Sequence, residues 1–291
     1  MTIRIAVDGT IGDEHSARIS VLDRGFLYGD SVYEVIRTYG SQPFALEAHL
    51  QRLERSAALL GFPLPISTTE LAGEIRATVQ AAGNRESYIR VIVTRGSGPI
   101  NLDPSTAEHP CRVVIVTALT PYPAELYDEG AKICLVPAGR LSGGAVPLGA
   151  KSGNYLVNIM ALRTARQQGA HEAVMLDTAG RVAEGASSNV FALFGHRSLR
   201  TPPLSVGILE GITRHLVTEL ARQMDLEVEE AELLPDDLRR AREIFLTSTL
   251  REVMPVTRVD DWEVGEGRVG PVALALRQRY RSSATGNPPT L

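Results

Sequence analysis

Two short runs of mostly apolar, β-branched residues limit the folds open to this chain more than any other feature. They are residues 88–94 (YIRVIVT) and 112–118 (RVVIVTA). Residues of this type are typical of strands, and a strand that is nearly all apolar is buried on both faces. The two runs therefore predict central strands of a sheet.

Weaker patterns of the same kind predict the other elements. Apolar residues at helical spacing indicate a helix over 47–60, and Ser67 with Glu70 forms a capping-box sequence that starts a second helix. Further helices are predicted from about Tyr155 to Gln168, from near Thr213, and over 270–281. Further strands are predicted at 3–8, 17–22, 32–39, 131–136, 172–177, 181–194 and 243–248.

A segment rich in Pro and polar residues, 119–130 (LTPYPAELYDEG), interrupts this series. Such composition is typical of a connection between domains. The 291 residues also suit two domains of ordinary size. The sequence thus predicts a domain over 1–118, a linker over 119–130, a larger domain over 131–281 and a flexible tail over 282–291.

Composition excludes several classes of function. The net charge is -4 and the Arg residues form no basic stripe, so nucleic acid is not expected as a partner. No run of ~18 apolar residues indicates a membrane span. Cys111 and Cys134 stand alone in apolar runs and the first residues lack a signal-peptide pattern, which favours a reducing cytoplasm. The six His residues are scattered without paired spacing, so no metal site is predicted.

The scarcity of lysine narrows the search for chemistry. Of 30 basic residues only Lys132 and Lys151 are lysine, and Arg cannot act as an amine nucleophile. Lys132 opens a predicted strand, where an edge or surface role is natural. Lys151 ends a loop of small residues, 139–150, and precedes a helix, so a planar ligand could approach it closely. An ordinary loop lysine stays open as the alternative at this point.

Six further patterns occur together and in order. They are Tyr28-Gly-Asp, Glu47-Ala-His-Leu-Gln-Arg52-Leu, Lys151-Ser-Gly-Asn-Tyr155, Glu184-Gly-Ala-Ser-Ser-Asn189, Leu209-Glu-Gly-Ile-Thr213-Arg214 and Thr247-Ser-Thr249. From about residue 3 to residue 260 the chain resembles the class IV aminotransferases, the fold type IV family of pyridoxal 5'-phosphate (PLP) enzymes. The resemblance implies an α+β fold like that of D-amino acid aminotransferase. A smaller N-terminal α+β domain and a larger C-terminal domain with a barrel-like β core would hold the cofactor between them. It also implies at least a homodimer, in which the neighbouring subunit closes the site.

The same resemblance implies cofactor roles for individual residues. Lys151 would form the imine with the cofactor aldehyde and then move the proton between the substrate Cα and the cofactor C4'. Glu184 would hold the pyridine nitrogen protonated, and Arg52 would bind the phosphate. The remaining cofactor contacts would come from Tyr155 at O3', Leu209 against the ring, and Ile212, Thr213, Ser248 and Thr249 at the phosphate.

The resemblance implies substrate-binding residues less uniformly, because different positions match different members of the family. Tyr28, Arg37, Tyr88 and Arg90 resemble the branched-chain amino acid aminotransferases. The D-amino acid enzymes carry an Arg-x-His carboxylate trap where this chain has Ile100 and Leu102. Tyr33 and Val35, by contrast, resemble the (R)-amine transaminases. Arg251 departs from the family's usual Thr-Ala-Ala-Glu run, and it is expected either to meet a substrate carboxylate or to lie at the surface.

These patterns together predict a PLP-dependent transaminase that works by a ping-pong mechanism. The favoured substrates are branched-chain L-amino acids as donors and 2-oxoglutarate as the acceptor. The alternatives are a transaminase of D-amino acids or (R)-amines, an aminodeoxychorismate lyase, and a non-catalytic binding protein in which Lys151 is an ordinary loop residue.

Overall fold

The computed structural model describes residues 2–137 and 149–286, and the chain divides into two compact units. The first unit comprises Met1–Thr120 with Ala150–Tyr155, and the second comprises Pro121–Gly149 with Leu156–Leu291. The segment that contains Lys151 therefore belongs to the first unit, although the sequence pattern assigns it to the second domain. Most of the predicted loop at 139–150 lies outside the described residues.

The first unit is built on an antiparallel six-stranded sheet with strand order β2-β1-β6-β5-β3-β4. The predicted central strands are confirmed, because β5 and β6 occupy the middle of this sheet. The elements of the unit are β1 Arg4–Val7, β2 Thr10–Gly12, α1 Arg24–Tyr28, β3 Ser31–Tyr39, β4 Gln42–Pro43, α2 Leu46–Leu59, α3 Thr68–Ala82, β5 Ser87–Thr94 and β6 Arg112–Ala118.

Helices α2 and α3 cover one face of this sheet. Their apolar residues recur at helical spacing and join the inward-facing residues of β3 and β5 in one core, for example Leu53, Ile75, Ile36 and Ile89. The capping box predicted at Ser67 is confirmed, since its side chain accepts a hydrogen bond from the Glu70 backbone N–H. The opposite face of β3 and β5 carries no helix of this unit and is partly exposed.

The strand predicted at 17–22 is wrong. These residues form neither a helix nor a strand, and Ile19, Val21 and Leu22 are exposed. β-branched residues favour a strand only where a neighbouring strand accepts their backbone hydrogen bonds. None of the described strands pairs with this segment; instead, the Asp23 carboxylate that follows it caps α1 by accepting from the Gly25 N–H.

The second unit is built on a mixed nine-stranded sheet with order β12-β11-β10-β13-β14-β7-β8-β9, while β15 pairs with β14. This sheet curls into a half-barrel, and the isolated bridge between Gly185 and Ser188 closes the short turn between β9 and β10. The elements are α4 Glu125–Asp128, β7 Ala131–Pro137, α5 Leu156–Gln167, β8 Glu172–Leu176, β9 Val182–Gly185, β10 Asn189–Phe194, β11 Ser198–Thr201, α6 Ile212–Arg222, β12 Glu227–Glu230, α7 Pro235–Leu238, β13 Glu243–Ser248, β14 Glu252–Val259, β15 Trp262–Glu263 and α8 Pro271–Thr285.

Three boundaries in this unit differ from the sequence prediction. The single strand expected over 181–194 is interrupted at 186–188, and the expected linker contains α4, whose Tyr127 is buried. Helix α8 begins at Pro271, where the buried Glu243 carboxylate accepts from the N–H groups of Val272 and Ala273, and it continues to Thr285, beyond the predicted end at 281. The predicted tail is therefore helical as far as residue 285, and residues 287–291 lie outside the described part. Within that part, no helix has the length and apolar character that crossing a membrane requires.

Candidate active site

The backbone around Lys151 adds to the free edge of β3. The Tyr33 N–H donates to the Lys151 carbonyl at 3.0 Å, and the Gly153 N–H donates to the Ser31 carbonyl at 2.8 Å. The buried Ser56 hydroxyl on α2 accepts from the Lys151 N–H at 3.1 Å. A Cβ at Gly153 would lie 2.3 Å from the Ser31 hydroxyl oxygen, so only glycine permits this approach. The sheet thus fixes the position of Lys151.

The Lys151 amine lies beside two tyrosine rings. Its Nζ is 3.3 Å from the Tyr155 Oη and 4.6 Å from the centroid of the Tyr33 ring. The two rings meet edge to face at 5.3 Å, and burial raises the pKa of the Tyr33 phenol. No carboxylate among the described residues forms an ion pair with Lys151. The other lysine has a different setting, because the Lys132 Nζ donates a hydrogen bond to the Gln168 carbonyl at 2.9 Å.

A buried carboxylate orders the residues behind Lys151. Glu34 on β3 accepts from the Arg52 Nε and Nη2, each at 2.7 Å, and lies 2.7 Å from the His49 Nδ1. Burial alone would raise the pKa of Glu34, but the charge and hydrogen bonds of Arg52 lower it to about 2. Burial lowers the pKa of His49 on balance, although the hydrogen bond and charge of Glu34 act to raise it. Because a carboxylate only accepts, His49 donates its Nδ1 hydrogen to Glu34.

Five of the predicted substrate residues share one face of the first sheet. Side chains alternate along a strand, so those at every second position of β3 project from the face that α2 and α3 leave uncovered. In the register of the sheet Val35 lies opposite Arg90, and Arg37 lies opposite Tyr88. The Arg90 guanidinium stacks 4.0 Å above the Tyr33 ring. Tyr28 is not on this face but at the end of α1, where Arg24 stacks on its ring.

In the second unit, Glu184 is tied to the segment that leads into α6. Its Oε2 accepts from the Leu209 backbone N–H at 3.0 Å and from the Asn189 Nδ2 at 3.2 Å. Asn189 also donates to the Leu209 carbonyl at 3.0 Å. The structure therefore brings two of the predicted cofactor residues, Glu184 and Leu209, into direct contact. A carboxylate accepts at several positions, so this one also suits a ring N–H.

The start of α6 suits an anion. Its N-cap is Gly211, which has no side chain to accept from the first N–H groups, and Ile212 and Thr213 are the first two helical residues. A Cβ at Gly211 would lie 1.9 Å from the Asn189 Oδ1, so glycine is required there. Ser248 ends β13 and Thr249 lies in the following turn, which places two more hydroxyl donors on this unit.

Arg251 does not lie at the surface. It is buried, and its guanidinium binds the Glu172 carboxylate and the Ser187 hydroxyl, the latter at 2.7 Å. The expected surface position is wrong, and the contact with a substrate carboxylate stays a prediction.

Sequence reasoning missed three residues that position others: Glu34, Ser56 and Asn189. Glu34 could have been found, because a lone acidic residue stood on the inward-facing side of an otherwise apolar strand. Asn189 ends the pattern that begins at Glu184, although nothing in the nearby sequence indicates what it binds. Ser56 gave no signal, since its partner is 95 residues away along the chain.

No group of three His, Cys, Asp or Glu side chains within residues 2–137 and 149–286 could hold a metal ion. Taken separately in the two units, the Lys151 amine would suit an electrophilic centre, and the Glu184 carboxylate and the α6 N-terminus would suit a ring N–H and an anion.

Comparison with known proteins agrees with this chemistry. The model of the family "Amino-transferase class IV" matches residues 31–259. A putative branched-chain-amino-acid aminotransferase of Methanocaldococcus jannaschii is 35% identical over 97% of both chains. The D-alanine aminotransferase of Bacillus licheniformis is 32% identical, again over 97% of both. The crystal structure of the T.th. branched-chain amino acid aminotransferase with pyridoxamine 5'-phosphate superimposes with a TM-score of 0.93 at 33% identity, and the match covers 99% of this chain and 96% of that one. The chain therefore belongs to the class IV aminotransferases and is a PLP-dependent enzyme.

Proposed function

We propose that this enzyme transfers the amino group of branched-chain L-amino acids to 2-oxoglutarate by a ping-pong mechanism. The observation that carries the proposal is the Lys151 amine, held on β3 beside two phenol rings and without an ion-pair partner among the described residues. The substrate assignment is supported by the M. jannaschii relative and by crystal structures of the T.th. enzyme. Those structures are complexes with 4-methylvaleric acid and with N-(5'-phosphopyridoxyl)-L-glutamate.

The donor set fits PLP. The N-terminus of α6 has N–H groups that no side chain caps, and the buried hydroxyls of Ser188 and Thr247 have no hydrogen-bond partner among the described residues. Unpaired buried donors of this kind are rare unless a ligand or water satisfies them. When bound, PLP supplies an aldehyde and an electron-withdrawing pyridine ring.

Each residue then has one role. The Lys151 Nζ would be the nucleophile toward the cofactor aldehyde, and as a free amine it would accept the proton from the substrate Cα and deliver it to the cofactor C4'. Tyr155, within hydrogen-bond distance of that Nζ, keeps the amine oriented. Glu184 keeps the pyridine nitrogen protonated, and Leu209 packs against the ring.

The phosphate roles belong to Arg52, Ile212, Thr213, Ser248 and Thr249. The guanidinium offers charged donors, and the four other residues offer backbone N–H groups or hydroxyls. On the open face of the first sheet, Arg37 and Arg90 are the cations for substrate carboxylates, and Tyr33, Val35 and Tyr88 form the apolar wall. Tyr28 is the candidate contact from α1.

Reductive trapping tests the role of Lys151. Because the chain has only two lysines, Lys132→Arg leaves Lys151 as the only lysine. Borohydride reduction of the PLP-loaded protein should label Lys151 in the wild type and in Lys132→Arg, and should label no lysine in Lys151→Arg. The absorbance band of lysine-bound cofactor should disappear only in Lys151→Arg. Labelling of Lys132, or full turnover by Lys151→Arg, would refute the proposal.

A panel of half-reactions tests the substrate. L-leucine should convert the bound cofactor to its pyridoxamine form, while D-alanine and (R)-1-phenylethylamine should not. The Tyr33–Val35 pair and the D-alanine aminotransferase relative favour those two donors as the second candidate, and conversion by either alone would establish it. Release of pyruvate from aminodeoxychorismate, without the pyridoxamine form, would instead indicate a lyase.

We also propose that the enzyme is a homodimer. The first unit exposes large apolar side chains on neighbouring segments, with Val21 72%, Phe26 66%, Ile100 73% and Leu102 78% exposed. Arg24 joins these segments, because its guanidinium donates to the carbonyls of Asn101 and Leu102 at 3.0 and 3.3 Å. Apolar patches of this kind mark interfaces.

Sedimentation velocity tests the dimer. The wild type should sediment as a dimer and Phe26→Asp/Leu102→Asp as a monomer, whereas Leu59→Asp, at an exposed site on α2, should stay dimeric. A monomeric wild type would refute the proposal. We place the enzyme in the cytoplasm, which the two free thiols, Cys111 and Cys134, support.

A further inference from the structure

The turn between β13 and β14 contains a buried arginine that is bound on several sides. Arg251 donates through Nη1 to the Ser187 hydroxyl at 2.7 Å and through Nη2 to the Glu172 carboxylate. Its guanidinium also lies 4.9 Å from the centroid of the Tyr122 ring. The Tyr127 hydroxyl donates to its carbonyl at 3.1 Å. A cation held in this way has one position and little freedom to move toward a ligand.

Glu172 and Ser187 close a triangle with Arg251. Glu172 is buried at the start of β8, and it accepts from the Ser187 backbone N–H at 3.2 Å and from the Ser187 hydroxyl at 3.3 Å. Three segments that are distant along the chain are therefore joined: the start of β8, the turn between β9 and β10, and the turn between β13 and β14. A buried pair with these added hydrogen bonds satisfies both charges.

Two of these segments carry residues of the proposed cofactor site. The Ser248 hydroxyl, at the start of one turn, accepts from the Arg251 N–H at 3.2 Å. Ser187 lies in the other turn, between Glu184 and Asn189, which are bonded to each other. We propose that Arg251 is a positioning residue that fixes the turn of Ser248 and Thr249 relative to the segment of Glu184. The proposal rests on the proposed function of those residues.

This role and the substrate role make opposite predictions. A cation that binds a substrate carboxylate contributes to the KM for amino and oxo acids and not to the affinity for PLP. A cation that sets the spacing of the phosphate donors and the ring carboxylate contributes to the affinity for PLP itself. Glu172 neutralises Arg251 and leaves no net positive charge to attract a carboxylate, which favours the positioning role.

Three variants distinguish a residue that positions the cofactor site from one that only stabilises the fold. Arg251→Met leaves Glu172 buried without its cation, so it loses stability as well as the link to Ser187. Arg251→Met/Glu172→Met replaces the pair by apolar side chains of similar volume, which restores stability but not the link. Arg251→Lys keeps the charge, yet its single ammonium cannot reproduce the two-armed contact.

The experiment titrates each apoprotein with PLP, and with inorganic phosphate as competitor, and measures the thermal unfolding of the same samples. Arg251→Met and the double variant should both bind PLP about tenfold more weakly, the equivalent of one hydrogen bond to a charged group. The double variant should unfold near the wild-type temperature, and Arg251→Lys should have intermediate affinity. Reduction at saturating PLP should still label Lys151 in every variant.

Three outcomes would overturn the proposal. In the first, the double variant regains both stability and PLP affinity, which would make Arg251 merely stabilising. In the second, Arg251→Met raises the KM for 2-oxoglutarate while PLP affinity is unchanged. In the third, neither quantity changes. Failure of the proposed function looks different, since reduction of the PLP-loaded wild type would then not label Lys151.

Discussion

Removing the charge of Glu34 should cost the fold about 3 kcal/mol, because this carboxylate is the common partner of Arg52 and His49. Its pKa is about 2, against an ordinary value of 4.5. Each pKa unit is equivalent to about 1.4 kcal/mol, so the folded state favours the ionised form by about 3 kcal/mol. Breaking a buried pair by removing one partner costs a similar ~3–5 kcal/mol. Glu34→Gln, which keeps the shape and removes the charge, should therefore lose about 3 kcal/mol.

Urea denaturation of the apoprotein at neutral pH, followed by circular dichroism, measures this loss. The matched control is Glu47→Gln on α2, whose partner Arg76 lies 3.1 Å away with both side chains more than half exposed. Exposed pairs contribute roughly 0–1 kcal/mol, so the control should stay close to the wild type. A loss below ~1 kcal/mol for Glu34→Gln, or equal losses in both variants, would refute the reasoning.

The pH dependence gives an independent check of the same quantity. A carboxylate whose folded pKa is lowered stabilises the fold above its unfolded pKa and loses that contribution as the pH falls through its folded pKa. The advantage of the wild type over Glu34→Gln should thus be constant above about pH 4.5 and should shrink between about pH 4.5 and pH 2. An advantage that persists unchanged to pH 2 would show that folding does not lower the pKa of this carboxylate.

Three further substitutions test local packing. Gly211→Ala should lower the free energy of unfolding by roughly 1–3 kcal/mol, since the new Cβ would collide with the Asn189 Oδ1; an unchanged thermal midpoint would contradict this. Gly73→Ala should instead stabilise by about 0.5–1 kcal/mol, because Gly73 lies inside α3 with nothing within 4 Å of an added Cβ; a lower midpoint would count against it. Glu243→Ala should cost ~1–2 kcal/mol by uncapping α8, measured by urea denaturation, and a cost below ~0.5 kcal/mol would count against the cap.

The local sequence pattern predicted an element correctly where the element did not depend on a neighbouring segment. Helix α3 begins after Ser67 as the capping box predicts, and β6 occupies the predicted residues 112–118. The pattern failed at 17–22, where β-branched residues had no neighbouring strand. It also failed at 186–188, where the turn that separates β9 from β10 is stabilised by the Gly185 N–H, which donates to the Ser188 carbonyl at 2.6 Å. A strand depends on its partner, and a single run of residues does not reveal the partner.

The setting of Lys151 shows the same limit at the candidate site. Lysine is scarce in the sequence, which makes Lys151 a candidate, and the family resemblance implies its role. Neither could show that residues 151–153 pair with β3 or that Ser56 holds the Lys151 N–H, because these contacts join parts of the chain about a hundred residues apart. Contacts of this length arise from the tertiary fold and leave no local periodicity.

The sequence does not show which acidic residue pairs with each arginine of the candidate site. Arg52 and Arg251 each look like a spare cation for a ligand, yet each is paired with a buried glutamate, 18 and 79 residues away along the chain. Because Glu34 neutralises Arg52, the pair would bring little net charge to the phosphate in the role proposed for Arg52. On the proposed function, neutral donors would then supply most of the attraction, and the second unit offers the uncapped α6 N-terminus with the Thr213 hydroxyl. The affinity of the enzyme for PLP should accordingly depend on Gly211 and Thr213 more than on the charge of Arg52.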